Sequence, residues 1–147
     1  MRITSMLIVS VLAIGACTAK EAEPEAVTSA LRVQNAWARS ADSGAMTAMY
    51  FTLANDGAVA DTLNGVVTTE AAAANLHVST QRDGMMHMSE VRALPVPAMD
   101  SVSFRPLGAH VMLTGLQGPL VVGDTVTATL TFVSGATLRV RAGVRQP

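Results

Sequence analysis

The sequence predicts an all-β domain, arranged as an antiparallel sandwich or a small barrel. Val, Thr, Ala and Gly dominate the chain and only 3% of its residues are aromatic, a composition that favours short strands and turns. Segments of strand length recur between turn signals along most of the chain. No apolar period of about 3.6 residues lasts long enough for a packed helix. Strands at this spacing favour an antiparallel sandwich or a small barrel.

Nine segments have the length and alternation of strands. They cover residues 31–39, 46–54, 59–67, 74–79, 85–91, 101–104, 109–113, 125–133 and 136–142. The breaks carry the Gly, Pro, Asn and Asp that tight turns need, at Asn55-Asp56-Gly57, Arg82-Asp83-Gly84, Leu94-Pro95-Val96-Pro97 and Ser134-Gly135. Residues 125–142 predict a hairpin. The alanine-rich stretch 69–75 is the one place where we expect a helical turn.

Length and charge restrict the function further. The 147 residues suit one domain, and half of them are apolar, which is enough to bury a continuous core. The formal net charge is -1, and the ten Lys and Arg residues are scattered. Proteins that bind nucleic acid neutralise its backbone phosphates with a clustered patch or stripe of Lys and Arg. Because this chain has no such stripe, nucleic acid is not an expected partner.

The amino terminus predicts export and lipid attachment. Arg2 precedes an apolar run over residues 6–14, which is too short to span a bilayer but suits a signal peptide. The following Ile14-Gly15-Ala16-Cys17 resembles the lipobox of bacterial lipoproteins. We therefore expect a signal peptide over 1–16, a lipidated Cys17 with a flexible tether to residue 30, and a β domain over 31–147. The alternative is an ordinary signal peptide cleaved near Ala19.

Such processing would hold a globular domain on a membrane face in the bacterial periplasm or cell envelope, because buried acyl chains anchor a protein without a spanning segment. The tether, residues 18–29, is charged and rich in Ala and Glu, which is typical of a solvated spacer. Cys17 is the single cysteine. The β domain therefore has no disulfide and no thiolate ligand.

Strand alternation brings several histidine and methionine side chains onto polar faces. Leu76 and Val78 share one face of their segment, so His77 takes the other. In the same way, His110 and Met112 lie on the face opposite their apolar neighbours, about 6.5 to 7 Å apart at Cβ. We expect both histidines to point outward. Residues 85–88 carry methionine on both faces, so alternation leaves open whether Met86 and Met88 or Met85 and His87 face the core.

Imidazole nitrogen and thioether sulfur form a soft, neutral ligand set, which favours Cu(I) over Cu(II) and over hard ions. Thioethers also cannot form disulfides, so such a site persists in an oxidising compartment. A blue-copper electron-transfer centre requires a Cys ligand and is excluded by composition. The predicted ion is a single Cu(I).

The spacing of four residues, His77, Met88, His110 and Met112, reads His-x10-Met-x21-His-x-Met. This pattern resembles the metal-binding motif of periplasmic copper chaperones of the PCuAC type, and the likeness covers about residues 33–144. Further segments look like landmarks of that family. These are Asn35-Ala-Trp-Ala-Arg39, Met49-Tyr-Phe-Thr-Leu53, Gly84-Met-Met-His-Met88, Gly115-Leu-Gln-Gly-Pro-Leu120 and Gly123-Asp-Thr-Val126.

The resemblance implies a cupredoxin-like Greek-key β-barrel with an exposed Cu(I) site whose ligands are His77, Met88, His110 and Met112. It also implies delivery of copper to an apo acceptor, such as the CuA domain of cytochrome c oxidase or a Sco-type copper protein. Trp37, Tyr50, Pro119 and Gly123 are more consistent with roles in the fold. The chain ends without the His- and Met-rich tail through which some members bind additional copper, so a second, Cu(II) site is not expected.

Three other functions compete with delivery. An enzyme is not expected, because the three histidines are either candidate ligands or the adjacent His87, and no carboxylate stands at motif spacing. Copper storage or detoxification needs the same tight binding and differs only in transfer. A structural β-sandwich lipoprotein without metal is the third alternative, since fold alone does not decide function. Met85, Met86 and His87 are expected to be packed or exposed to solvent, the alternative being that they assist transfer of the ion.

Overall fold

The computed structural model describes residues 30–146, and ten strands make up its regular structure. Their bounds are β1 Leu31–Arg39, β2 Thr47–Asn55, β3 Asp61–Thr68, β4 Ala71–Arg82, β5 Met85–Glu90, β6 Leu94–Val96, β7 Asp100–Phe104, β8 Ala109–Leu116, β9 Thr125–Phe132 and β10 Thr137–Arg145. The predicted signal peptide, Cys17 and most of the tether lie outside the described residues. Among the described residues, no helix is long and apolar enough to cross a membrane.

The strands join into one sheet in the order β5-β4-β8-β7-β2-β1-β10-β9-β3-β6, with a further pairing between β8 and β2. Most pairs are antiparallel, and β9 and β10 form the predicted hairpin. Many neighbours are distant in sequence: β2 pairs with β7 and β8, and β3 pairs with β9. The prediction of an all-β domain is correct.

The core is built on the central strands, of which β2 is buried along both faces. Met49, Phe51 and Leu53 on β2 are fully buried, and so are Val111 and Leu113 on β8. The rings of Phe51 and Phe104 stack with centroids 4.2 Å apart, which joins β2 to β7. Because apolar burial is the main favourable term in folding, this core fixes the register of the strands that carry the histidines.

Two local predictions are wrong. The expected helical turn over 69–75 is absent, because β4 begins at Ala71 and pairs with β8, Ala71 opposite Leu116 and Ala74 opposite Leu113. The expected turn at Leu94-Pro95-Val96-Pro97 contains β6, which pairs with β3. A proline is acceptable there because β6 is an edge strand, where one N–H side faces away from the sheet.

A bulge in β1 precedes Trp37, which packs on Tyr50, the aromatic neighbour of His110. The pairing of β1 with β2 shifts between Gln34 and Trp37, and Asn35 has a φ of 54°. Asparagine tolerates this left-handed conformation better than most residues with a side chain. After the bulge Trp37 lies opposite Tyr50, and their ring centroids are 4.6 Å apart.

Candidate metal centre

The pairing of β4 with β8 brings the two candidate histidines together. His77 lies directly opposite His110, and their ring centroids are 5.7 Å apart. The next pair on the same face joins Asn75 to Met112, whereas Leu76 and Val111 pair on the buried face. Three of the four candidate ligands therefore share one face of two neighbouring strands.

The pairing of β5 with β4 shows on which face of the sheet Met88 lies, a point that strand alternation left open. Met88 lies opposite Ser79, and Glu90 lies opposite His77. Since directly paired residues point to the same side of a sheet, Met88 belongs to the face of His77 and His110. Met85 and His87 point to the other side.

The closest contact in this group joins His110 to Met88. The Nε2 atom of His110 lies 3.1 Å from the sulfur of Met88, and its Nδ1 atom lies 3.0 Å from the carbonyl oxygen of Gly108. A carbonyl oxygen can only accept, so the contact with Gly108 assigns the ring proton to Nδ1. In the neutral ring, Nε2 then presents a lone pair to the thioether sulfur, and two donor atoms without a proton between them face each other.

The expected outward orientation of His110 is only partly correct. Its side chain lies on the face opposite Val111, but it is only 5% exposed. Met88 and the ring of His77 lie against it, and the ring of Tyr50 is centred 6.2 Å away. His110 is therefore a buried candidate ligand, whereas Met88 is 53% exposed.

His77 carries an unsatisfied ring nitrogen. Its Nδ1 atom is buried and, among the residues that the structure describes, is the sole buried side-chain nitrogen or oxygen without a hydrogen-bond partner. An unsatisfied buried polar atom costs about 1 to 3 kcal/mol, so it calls for a partner that the polypeptide does not supply. A metal ion is one partner that an imidazole nitrogen can bind.

An open cavity of about 410 Å³ adjoins the group and is lined by Met88, His110 and Met112, together with Tyr50 and Met46. His77 does not line it but contacts His110 from the side. A larger cavity of about 600 Å³ lies at the start of β1 and the end of β2, beside Leu31 and Asn55. That cavity is mostly apolar and brings no histidine or methionine together, so the smaller cavity is the candidate site.

Sequence reasoning missed four neighbours of the site. Tyr50 was expected to serve the fold, yet it also lines the cavity, as do Ser79 and Met46. Glu90 lies opposite His77, and its carboxylate accepts a hydrogen bond from the Asn75 amide at 3.3 Å. Because every second side chain along a strand points to the same face, Met46 is expected on the face of Tyr50, and this spacing could have indicated it as a neighbour of the site. Glu90 could not be found without the β4–β5 register.

The site offers few hard ligands. Within residues 30–146, no group of three or more His, Cys, Asp and Glu side chains is arranged to hold a metal ion. The donors that converge are imidazole nitrogens and thioether sulfurs. Such a set suits a soft monovalent ion better than Mg²⁺, Ca²⁺ or a structural zinc ion.

Residues 31–144 match the family described as "Putative lipoprotein LpqE-like". The chain belongs to this family. A relative from Leifsonia xyli subsp. xyli, named "Putative lipoprotein Lxx21020", is 32% identical over 116 residues, which are 78% of this chain and 69% of the relative. The residues matched by this LpqE-like family, 31–144, nearly coincide with residues 33–144, over which the sequence resembles PCuAC-type copper chaperones.

Solved structures of PCuAC domains and of a copper-bound protein resemble this LpqE-like chain. The solution structure of CuI-DR1885 from Deinococcus radiodurans is 37% identical with a TM-score of 0.62, over 82% of this chain and 83% of that one. The copper-bound PCuAC domain from PmoF2 is 22% identical with a TM-score of 0.66, over 80% and 93% of the two chains. The predicted cupredoxin-like β fold is confirmed.

Proposed function

We propose that this protein binds one Cu(I) ion through His77, Met88, His110 and Met112 and hands it to another protein. The observation that carries the proposal is the contact of His110 Nε2 with the Met88 sulfur at 3.1 Å. Neither atom donates a proton to the other when the ring is neutral, so a cation between them would satisfy both. The activity is binding and transfer, not catalysis.

The donor set supports copper in its reduced state. Two imidazoles and two thioethers carry no charge and bind soft Cu(I) better than harder divalent ions. The single cysteine of the chain, Cys17, lies before the β domain. A thiolate therefore has no part in the proposed site.

The separation of the donors fits a shared ion. Bond lengths of about 2.0 Å to nitrogen and 2.3 Å to sulfur, as measured for zinc, put two ligands of one ion about 3 to 4 Å apart. The 3.1 Å between His110 Nε2 and Met88 Sδ falls in that range. The hydrogen bond between His110 Nδ1 and the Gly108 carbonyl would hold the ring in the binding tautomer, as outer partners of metal-bound histidines do.

The uneven burial of the ligands supports transfer rather than permanent binding. His110 is buried, whereas Met88 is exposed and the cavity beside it is open. An incoming ligand of an acceptor can therefore replace the exposed thioether first, while the buried imidazole keeps hold of the ion. The proposed acceptor is an apo copper protein, such as the CuA domain of cytochrome c oxidase or a Sco-type protein.

The proposed location is the bacterial envelope, with the domain anchored through a lipid on Cys17. The description of the family and of its Leifsonia xyli relative as lipoproteins supports this, as does the lipobox-like sequence. An anchored chaperone would search for membrane-bound acceptors in two dimensions. Intact mass of the membrane-extracted protein, compared with a Cys17→Ser variant, tests the anchor: the mass of the lipid should be present in the first and absent from the second.

A Cu(I) competition titration against a chromophoric chelator tests the site. We expect one ion per chain for the wild type and weaker binding in variants that remove any of the four ligands. His87→Ala is a matched control, because His87 lies on the same strand as Met88 but on its other face. Wild-type protein that does not compete for Cu(I) would support the structural β-sandwich without metal.

Anaerobic mixing of the Cu(I)-loaded protein with an apo CuA domain, or with a Sco-type protein, tests delivery. Copper should move to the acceptor, and the two proteins should be separable afterwards with the metal on the acceptor. If copper stays on the chaperone with both acceptors although it binds tightly, storage or detoxification replaces delivery.

A further inference from the structure

Met46, which is outside the four-residue spacing pattern, is a further methionine on the wall of the candidate cavity. It lies immediately before β2 and lines the cavity together with Met88, His110 and Met112. Two residues later, Ala48 pairs directly with Met112. The side chain of Met46 is 66% exposed, so its thioether lies at the solvent side of the cavity.

The backbone beside Met46 is held in place while the side chain is free of tight packing. The Gly44 N–H donates to the Leu116 carbonyl at 2.8 Å, and the Leu116 N–H donates to the Ala45 carbonyl at 3.2 Å. Gly44 adopts a φ of 73°, which suits glycine in a tight turn. These bonds fix the position of residue 46 relative to β8, which carries His110 and Met112. The long, flexible methionine side chain can then sample the mouth of the cavity.

We infer that Met46 is an auxiliary ligand that binds Cu(I) transiently as the ion enters or leaves the cavity. This inference rests on the proposed function. The step is a ligand exchange: a lone pair of the Met46 sulfur forms one copper–sulfur bond as one bond to an exposed ligand breaks. The metal remains Cu(I), and neither an electron nor a proton is transferred.

The other exposed methionines do not meet the same conditions. Met86 shares a face of β5 with Met88 but does not line the cavity. Met85 points to the opposite face of that strand. Met99 precedes β7 near Gly57, to whose carbonyl its N–H donates, at the end of β2 away from the site. These residues supply controls of the same chemistry.

Methyl NMR of methionine-labelled protein titrated with Ag(I), a soft and redox-stable probe ion, tests contact with the metal. The methyl signals of Met88 and Met112 should move with the first equivalent, and that of Met46 should also move or broaden. The signals of Met86 and Met99 should stay in place. A Met46 signal that neither moves nor broadens at any point of the titration, including half occupancy where the ion exchanges between molecules, would overturn the inference.

Stopped-flow removal of Cu(I) by bathocuproine disulfonate tests the kinetic role. Met46→Leu keeps the size of the side chain and removes the sulfur. It should slow loading and removal severalfold and by the same factor, so that the equilibrium affinity is unchanged. Met99→Leu should match the wild type in both rates.

The outcomes separate this inference from the proposed function. Unchanged rates in Met46→Leu, with tight wild-type binding, would exclude the auxiliary ligand and leave the four-ligand site intact. A loss of affinity as large as that of Met112→Leu would make Met46 a permanent ligand and also overturn the transient role. Wild-type protein that binds neither Ag(I) nor Cu(I) would instead refute the proposed function itself.

Discussion

The Met88 sulfur meets the Nε2 atom of His110 at 3.1 Å, although β4 lies between the strands that carry them. Strands two places apart in a sheet are separated by about 9.6 Å. Only long side chains on the same face can bridge that distance. The contact therefore depends on the register of two ladders at once, Met88 opposite Ser79 and His110 opposite His77.

Replacing Met88 by leucine should weaken Cu(I) binding at least tenfold, since changes even in the outer partners of metal ligands cost about 10- to 100-fold. The fold should remain, because this exposed side chain contributes little to the core. Met85→Leu changes the same atoms on the opposite face of β5 and should bind copper like the wild type. Competition titration measures both. Equal affinities of the two variants would remove Met88 from the site.

Replacing His110 by alanine should lower both copper affinity and the stability of the metal-free protein. The side chain is buried, so its loss removes packing around it as well as its hydrogen bond to the Gly108 carbonyl, which keeps the Ser79 N–H as a donor. The lost hydrogen bond alone costs about 0.5 to 1.5 kcal/mol. Denaturant unfolding without metal measures the change in the free energy of unfolding. His87→Ala, on an exposed face, should remain within about 0.5 kcal/mol of the wild type. A wild-type stability for His110→Ala would contradict the observed burial.

Stability should fall in acid because two carboxyl groups are held as acceptors. Burial raises the pKa of Asp61, but hydrogen bonds from Ser134 and Thr62 outweigh it and hold this pKa below its ordinary value. Burial also raises the pKa of Glu70, but hydrogen bonds from the Thr68 hydroxyl, the Thr127 N–H and the Thr69 hydroxyl outweigh it and lower this pKa overall.

Since both groups bind protons less readily in the folded state, the unfolded state takes up more protons as the pH falls through about 4. The stabilisation from Asp61 and Glu70 is complete above that range and is lost below it. Urea unfolding between pH 7 and pH 3 should show a steeper acid decline for the wild type than for Asp61→Asn or Glu70→Gln. Parallel curves for all three proteins would refute this assignment.

Replacing Gly115 by alanine should destabilise the protein by about 1 kcal/mol or more. Gly115 lies within β8 at a φ of 64°, and an added Cβ would lie 3.1 Å from the Cβ of Ala72. Gly118→Ala is the control, because a Cβ there meets no atom within 4 Å. Thermal unfolding compares the two. An unchanged midpoint for Gly115→Ala would mean that the β4–β8 pairing adapts to a side chain.

Much of the secondary structure could be predicted from local patterns. β1 has the predicted bounds, and the β9–β10 hairpin follows from alternation around Ser134-Gly135. The two errors have one origin: Ala71 and Pro95 belong to strands because of their partners, β8 and β3, and not because of their own propensities. Tertiary pairing overrides weak local preference in sheets.

The sequence by itself determined the fold class and the soft chemistry of the donors, and its alternation placed His77, His110 and Met112 on polar faces. Only the tertiary structure decided that Met88 points to the same face, that His110 is buried beneath it and that Met46 lies at the mouth of the cavity. The reason is physical. Alternation along one strand is a local property, whereas the faces that meet, and the side chains they bury, depend on register between strands distant in sequence.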